Sequence, residues 1–584
     1  MTRIPLAECL TAGYERLAAW ADLLDRINVF PVPDGDTGRN LCLTLAPCRR
    51  PDRDLRRTAR RVLLAARGNS GNIAAAFLHA FLQPGTEDDL PMLASRGLAA
   101  ARAAVAAPRS GTMLDVLAAL VRVLERDLWE DMRPLDGFLG SLLAELAAAV
   151  RDGAQELPEL REAGVVDAGA LGMFLFLEGV FRTLTARESS YLSLPESFPG
   201  LLEVSPFWQP GRAQGWCLDA VVETGAGAAG LQERLAALGG EVVATPGGGP
   251  AGGLVKLHLH AADPGAVRRE LAALGRVVSW GEDDLARQVE AFPFPPEDGA
   301  VHLMTDAAGS LGPELAAREG ITLLASYVNL ADESWPETML EPARLYEAMR
   351  QGERVSTSQA SHYERQHNFR KVLELYPRVM YLAVGAAYTG NAADAARWQA
   401  EHDPAGRLVV VDSGAASGRL GIMAVALARL CRRSRDPGEV AAGLARVREE
   451  AAELLFLDTL KYLAAGGRAP KAGAWLGHKL GLRPVITPTP SGVRRLGLVG
   501  GRASQVAFAV KQLRAAGLAR GRGLALLQYT DNQAWLEGEV APRLAREFPG
   551  LELLTAPLSL TTGSHTGPGA WSLAFLPEHA EDKP

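Results

Sequence analysis

The chain has little of what marks secreted, membrane-spanning or nucleic-acid-binding proteins. Cysteine is scarce: five residues in 584, at Cys9, Cys42, Cys48, Cys217 and Cys431. None forms a CxxC pair and the number is odd, which argues against a disulfide framework and fits a reducing compartment. No apolar run reaches the ~18–20 residues of a membrane span. The nearest, LGMFLFLEGVF, is interrupted by Glu178. The N-terminus lacks the charged, apolar and cleavable pattern of a signal peptide. A cytoplasmic protein without a transmembrane segment is expected. Long basic tracts are missing too. Net charge is −7, and phosphate neutralisation needs clustered Lys and Arg, so no nucleic-acid partner is expected. The locally basic string CRRPDRDLRRTARR (48–61) also holds Asp52 and Asp54 and runs into a helical pattern, so it reads as a solvated helix face.

What is present is an ordinary globular composition, 48% hydrophobic and 22% charged, in a chain too long for a single core. The expected fold is therefore multidomain. Residues 1–188 are rich in Ala, Leu and Arg with apolar residues at three- and four-residue spacing, as in LDGFLGSLLAELAAAV, and read as all-α. Four glycine-bearing turns interrupt these helices: DGDTG, RGNSG, RSGT and DAGALG. Residues 189–212, rich in Pro and Ser, read as a linker. Residues 213–292 alternate strand-like and helical segments, a small α+β domain. FPFPPEDG (292–299) reads as a second linker. Over 299–579, VHLMT, ITLLASYVNL, RVMYLAVG, RLVVVDSG and GLALLQYT read as strands between helices. That pattern implies an α/β domain of two lobes with a mostly parallel sheet, whose ligands collect at strand C-termini.

Three residue groups carry chemistry. Asp34 and Asp36 flank Gly35 on a turn, so both carboxylates can face one cavity, with Asn28 adding a neutral oxygen. Mg²⁺ takes such oxygens together with phosphate. RGNSGN (67–72) and RSGTMLD (109–115) place small residues just before helical runs, where free N–H groups cradle phosphates. Taken singly, each string reads first as an ordinary Asp/Gly turn, and it is their co-occurrence in one helical domain that favours a site. In the middle domain, His258 and His260 share one face of a strand, and with Cys217 they make a three-member Zn²⁺ donor set. The alternative is surface histidines and a buried thiol. Nothing nearby suggests a catalytic acid or base, so such an ion reads as structural. In the last domain, Thr357, Ser358, Thr389, Arg468 and His565 follow strands or glycine turns. Hydroxyls, a guanidinium and an imidazole hold a carboxylate well. Helix caps and surface pairing are the plainer roles for these residues one by one.

INVFPVPDGDTGRN, ARGNSGN, SGTMLD and EAGVVDAGALG, in that order, resemble the nucleotide domain of bacterial dihydroxyacetone kinases. They are closer still to the kinase component of bacterial fatty acid kinase. The resemblance covers about residues 5–185. It implies an all-α helical barrel binding ATP with two Mg²⁺ ions, the metal held by Asn28, Asp34 and Asp36. It places Asn40, Asn69, Ser70, Gly71 and Thr112 along the nucleotide and phosphates, with Asp167 closing the site. Arg39 and Asn72 depart from the family pattern. GWCLDAVVET…GLVKLHLHAADPG resembles the following segment of that kinase, which carries a zinc-binding Cys and His pair. TDAAGSL, TSQA, YTGNA, VDSG, DTLKYLAAGGR and HTGPGA resemble the DegV family, the fatty-acid-carrying component of the same system. Thr357, Ser358, Thr389, Arg468 and His565 would then meet the fatty acid carboxyl group. Asn391 and Ala360 depart from that family's pattern.

The joint expectation is a fused, ATP-dependent fatty acid kinase that converts a bound long-chain fatty acid to its acyl phosphate, with Asp34, Asp36, Arg468 and His565 as the catalytic set. Transfer within one chain and across a homodimer both stay open, and an acyltransferase of phospholipid synthesis is the expected consumer of the product. Two other classes remain: a DegV-type lipid-binding protein with a degenerate kinase half, and a small-polyol kinase of the dihydroxyacetone type.

Overall fold

The computed structural model describes residues 5–578 except 84–88, 128–134, 187–190, 210–214, 237, 248–252, 291–300, 332, 435–436, 468–481 and 520. The chain divides into two compact units, residues 1–293 and 294–584. The FPFPPEDG segment lies outside the described residues.

The first unit begins with a helical body built around the helix Ala168–Leu184, which is buried on every side from Ala168 to Thr183. Helices Leu6–Ala19, Thr37–Leu45, Met113–Asp127 and Leu135–Glu156 pack on it. Its glycines let backbones touch. A Cβ on Gly179 would lie 2.6 Å from the Ala12 carbonyl oxygen, and one on Gly13 would lie 2.7 Å from that of Phe176. Glu178, the charge that interrupts the apolar run, is fully buried and accepts from Arg16 Nε at 3.0 Å and Arg182 Nε at 2.9 Å. A buried carboxylate is tolerable only when paired in this way.

The described part of the stretch read as a linker is pinned to this body. The Leu192 amide donates to Glu178 at 2.8 Å, and Arg16 Nη2 donates to the Leu192 carbonyl at 2.9 Å. Leu194 and Phe198 are buried, and Phe198 packs edge-on against Phe174 at 5.5 Å. Their i, i+4 spacing on the short helix Leu194–Ser197 and its C-cap makes one apolar face out of a Pro/Ser-rich string.

The middle domain of this unit is a four-stranded antiparallel sheet: Trp216–Thr224, Gly239–Pro246, Leu254–Ala261 and Gly275–Asp284. Its spatial order is second, third, first, fourth, the split β-α-β arrangement. Helices Gly227–Leu235 and Pro264–Leu274 carry Leu231, Leu235, Val267 and Leu271 into its core. The sheet packs on helix Gly68–Phe81 of the helical body, and Gln232 Nε2 donates to the Ala104 carbonyl at 2.6 Å.

The second unit has two larger sheets. The first is wholly parallel, ordered Leu408–Asp412, Val379–Ala383, His302–Asp306, Ile321–Leu324. The second has six strands, ordered Gly492–Val499, Arg483–Thr489, Ala452–Phe456, Trp571–Pro577, Gly523–Tyr529, Leu551–Pro557. Only its last pair is parallel. The expected mostly parallel sheet thus holds for one lobe and fails for the other. The tight turn between Thr489 and Gly492 forces a hairpin, and a hairpin is antiparallel. ITLLASYVNL is two strands rather than one. After Leu324 the chain leaves the parallel sheet, and Ser326–Leu330 pairs with Glu333–Pro336 and Val355–Gln359. Helix Ser417–Arg433 ties the two larger sheets into one core, packing Leu420, Met423 and Leu427 with Leu303 and Leu382 of one and Leu526 and Ala574 of the other.

Candidate functional site

The turn that carries the acidic pair is built by Gly35, at φ +66°, a left-handed conformation that glycine adopts without cost. Helix Thr37–Leu45 starts immediately after Asp36. It can start there because Gly38 has no side chain: a Cβ would lie 2.0 Å from the Ala21 carbonyl oxygen. Asp25 braces the turn from below, accepting the Arg39 amide at 3.1 Å. Burial pushes its carboxyl up to about 8.

Asn28 Nδ2 donates to Asp34 Oδ1 at 2.5 Å. Asp34 and Asp36 are hydrogen-bonded to each other, and burial together with their mutual repulsion keeps a proton on the pair above the ordinary carboxylate range. Two carboxylates forced together inside a protein share a proton when no cation is there to replace it. The donor set is hard and anionic, as Mg²⁺ requires. These residues line one small cleft with Asn40, Asn69 and Ser70.

Three of the residues expected near the nucleotide do not line that cleft. Gly71 is a packing glycine, where a Cβ would lie 2.3 Å from Thr44 Oγ1. Thr112 sits on a loop whose amides are already engaged. Gly111 N and Thr112 N donate to Asp115 Oδ2 at 2.6 and 3.2 Å, so the helix that follows is capped by its own acid. Asp167 is the N-cap of Ala168–Leu184, accepting the Ala170 amide at 2.6 Å. It adjoins the cleft through Ser70, since a Cβ on Gly169 would meet both Ser70 Oγ and Asp167 Oδ1. Burial pushes its carboxyl up to about 7, with Asp115 adding repulsion.

The opposite wall of the cleft is Cys217, His258 and His260. Strand pairing sets Cys217 directly across from His260 and Asp219 across from His258. One donor atom from each of the three lies within 4.8 Å of the others. His258 Nε2 is buried without a hydrogen-bond partner, while Nδ1 lies 3.4 Å from Asp219 Oδ1. Burial and the His258 ring hold His260 down to about 3, in its neutral, ligating form. Burial and the carboxylates of Asp219, Asp36 and Asp34 push the Cys217 thiol up. A thiol and two imidazoles, one with an unpartnered buried Nε2, fit Zn²⁺. The expectation of a structural ion rested on there being no acid or base nearby, and in space Asp34 and Asp36 line the same cleft. No spacing rule announces this meeting, which depends on how the middle sheet docks on helix Gly68–Phe81.

The second unit holds a cavity of about 220 Å³. It lies beyond the C-terminal ends of three parallel strands, lined there by Ala308, Val384 and Ala416, and Leu455, Leu463, Ile486 and Val493 also line it. Thr357, Ser358, Thr389 and His565 all line it. Thr357 Oγ1 and His565 Nε2 are 3.4 Å apart. Arg468 lies outside the described residues. The two glycine motifs interlock here: a Cβ on Gly466 would meet His565 Nδ1 at 2.3 Å, and one on Gly567 would meet Tyr462 Cδ2 at 2.1 Å.

Sequence reasoning missed Gln359, Thr561 and Thr562, which also line the cavity. Gln359 donates to Thr389 Oγ1 and accepts from Arg365 Nη1 at 3.2 Å, so it orients the hydroxyl. Its i+2 relation to Thr357 on one strand was the available signal. Glu337 is buried behind Thr561, whose amide it accepts at 2.8 Å, and burial raises its carboxyl to about 7.

Among the described residues, no helix is long and apolar enough to cross a membrane. Comparison with known proteins matches residues 31–182 to the DAK2 domain. Residues 300–578 match the family described as "Uncharacterised protein, DegV family". An uncharacterised protein of Staphylococcus saprophyticus is 25% identical over 332 residues, 51% of this chain and 58% of that protein. One of Staphylococcus haemolyticus is 32% identical over 198 residues, 31% of this chain and 35% of that protein. The chain thus spans between about a third and three fifths of the length of these curated relatives. A solved DegV-family protein from Thermus thermophilus, described for its fatty acid binding, is 28% identical, with a TM-score of 0.44, covering 48% of this chain and 99% of that one. One polypeptide therefore joins a DAK2 domain to a DegV-family domain.

Proposed function

We propose that the chain is a fused fatty acid kinase: ATP and a long-chain fatty acid give an acyl phosphate and ADP. The observation that carries the reading is the cavity of the second unit. Its lining is mostly apolar, Val384, Leu455, Leu463, Ile486 and Val493 among it, and it also carries several hydroxyls and one imidazole. That is the lining an amphiphile with an anionic head requires. Burial contributes about 0.8 kcal/mol per methylene, so a chain of some sixteen carbons gains on the order of 10 kcal/mol before ordering costs.

In this mechanism Thr357, Ser358, Thr389 and His565 hold the carboxylate, and Arg468 joins them. The acid is already ionised near neutrality, with a carboxyl pKa of about 4, so attack needs no general base. One carboxylate oxygen forms a bond to the γ-phosphorus, the bond between that phosphorus and the β,γ-bridging oxygen breaks, and ADP leaves with the electron pair. Asn28, Asp34 and Asp36 would hold Mg²⁺, which when bound neutralises charge on the phosphate oxygens. Asn40, Asn69 and Ser70 line the nucleotide side, and Asp167 fixes the helix behind Ser70. Cys217, His258 and His260 would hold Zn²⁺ as a Lewis acid on the facing wall. Catalysis is then positioning and charge neutralisation rather than proton transfer.

The test is native mass spectrometry of the purified full chain. The reading expects a co-purified fatty acid at about one per chain. An empty protein that phosphorylates dihydroxyacetone would overturn it.

A further inference from the structure

Asp219 has no assigned part in this chemistry, yet it touches both walls of the first cleft. It lies two residues after Cys217 on one strand and directly opposite His258 on the next. Its Oδ1 is 3.4 Å from His258 Nδ1 and 3.3 Å from Lys256 Nζ. The same oxygen accepts Asn72 Nδ2 at 3.4 Å. Its Oδ2 accepts the Gly68 amide, also at 3.4 Å. Gly68 is the first residue of helix Gly68–Phe81, whose own N-cap, Arg67, supplies no side-chain cap. Asn69 and Ser70, which line the cleft, follow at once.

Two physical requirements meet in this one carboxylate. A histidine that ligates a metal through one nitrogen needs an acceptor on the other to fix its tautomer and its ring. With Nδ1 facing the Asp219 carboxylate at 3.4 Å, the proton is favoured there and the lone pair of the unpartnered Nε2 is free for the cation. A helix start with no cap of its own needs an acceptor for its first amides, and Asp219 supplies it from the neighbouring domain.

We propose that Asp219 is a positioning residue that couples cation occupancy of the Cys217–His258–His260 set to the nucleotide-side segment Gly68–Ser70. An ion on His258 fixes the ring, the ring fixes the Asp219 carboxylate, and the carboxylate fixes the amide that starts the segment. The inference rests on the reading that this set takes zinc and that segment takes nucleotide.

The experiment uses the full chain and two binding measurements, zinc by chelator competition and Mg·ADP by calorimetry with and without zinc. Loss of an outer-sphere carboxylate costs about 10–100-fold in metal affinity, so Asp219→Asn is expected to lose at least about tenfold. In wild type, zinc is expected to change ADP affinity by about fivefold or more, and in Asp219→Asn by less than about twofold. Asp219→Glu restores part of both. Lys256→Met, which removes only the ammonium, changes neither. Should Asp219→Asn fold poorly, the charge-balanced double variant Asp219→Asn with Lys256→Met carries the same expectation. Unchanged zinc affinity and unchanged coupling in the Asn variants would reduce Asp219 to an ion-pair partner of Lys256 and overturn the proposal. Wild-type protein that takes up no zinc would overturn both the proposal and the reading beneath it. Zinc binding without coupling would overturn the proposal alone.

Discussion

Replacing Asp167 by Asn separates the charge of this residue from its role as a helix cap. Asparagine caps a helix about as well as aspartate, so the bond to the Ala170 amide survives. What disappears is a carboxyl that burial has moved from 3.8 to about 7. Because the folded value is raised, the protonated form favours the fold. That stability is fully present below about pH 4 and is lost as pH climbs to about 7. The shift is about three units, or about 4 kcal/mol at 1.36 kcal/mol per unit. Between about pH 5 and pH 8 the wild type should therefore lose about 2.7 kcal/mol relative to the variant, the part of the shift lying above pH 5. Hydrogen exchange of the amides in Ala168–Leu184, wild type against variant at matched pH and free of metal and nucleotide, reads this directly. The protection ratio should move about 100-fold in favour of the variant across that range. A ratio that stays constant, or that moves toward the wild type, would refute the claim that burial dominates this carboxyl.

Gly38→Ala should destabilise the helical body by at least ~1–3 kcal/mol and weaken Mg·ADP binding, because the new methyl meets backbone rather than a movable side chain. Urea unfolding and calorimetry check it, and a neutral substitution would mean the Ala21 contact yields. His565→Ala should abolish acyl phosphate formation while leaving Mg·ADP affinity within about twofold, since His565 belongs to the second unit. Full turnover in that variant removes the imidazole from the mechanism. Metal analysis of wild type should find about one zinc per chain, and Cys217→Ser should lose most of it. Zinc-free wild type of full activity would retire the metal on the facing wall.

How far the sequence could be read depended on the range of the interaction. Helix Ala168–Leu184 and the acidic turn at Asp34–Asp36 are local features, legible from periodicity and glycine chemistry. The hydroxyls at Thr357 and Thr389 and the imidazole of His565 were marked by their turns, and all of them reach the cavity. The meeting of Cys217, His258 and His260 with the acidic pair was not legible, because it arises from docking one domain on another. The same is true of the Asp115 cap, which uses up the amides of the Gly111–Thr112 loop. The strands of the six-stranded sheet were partly missed because AELLF and WSLAFLP are short apolar runs, and period alone does not separate a buried strand from a helix. The Leu194–Phe198 face was hidden by the Pro and Ser around it.

The central claim is that phosphate moves from ATP to a fatty acid carried by the same chain. Incubating the full chain with Mg·ATP, a radiolabelled long-chain fatty acid and hydroxylamine measures that transfer by trapping the acyl phosphate as a hydroxamate. The account predicts labelled hydroxamate formed in step with ADP and lost in Asp36→Ala. ATP turnover without hydroxamate, or hydroxamate undiminished in Asp36→Ala, would contradict it.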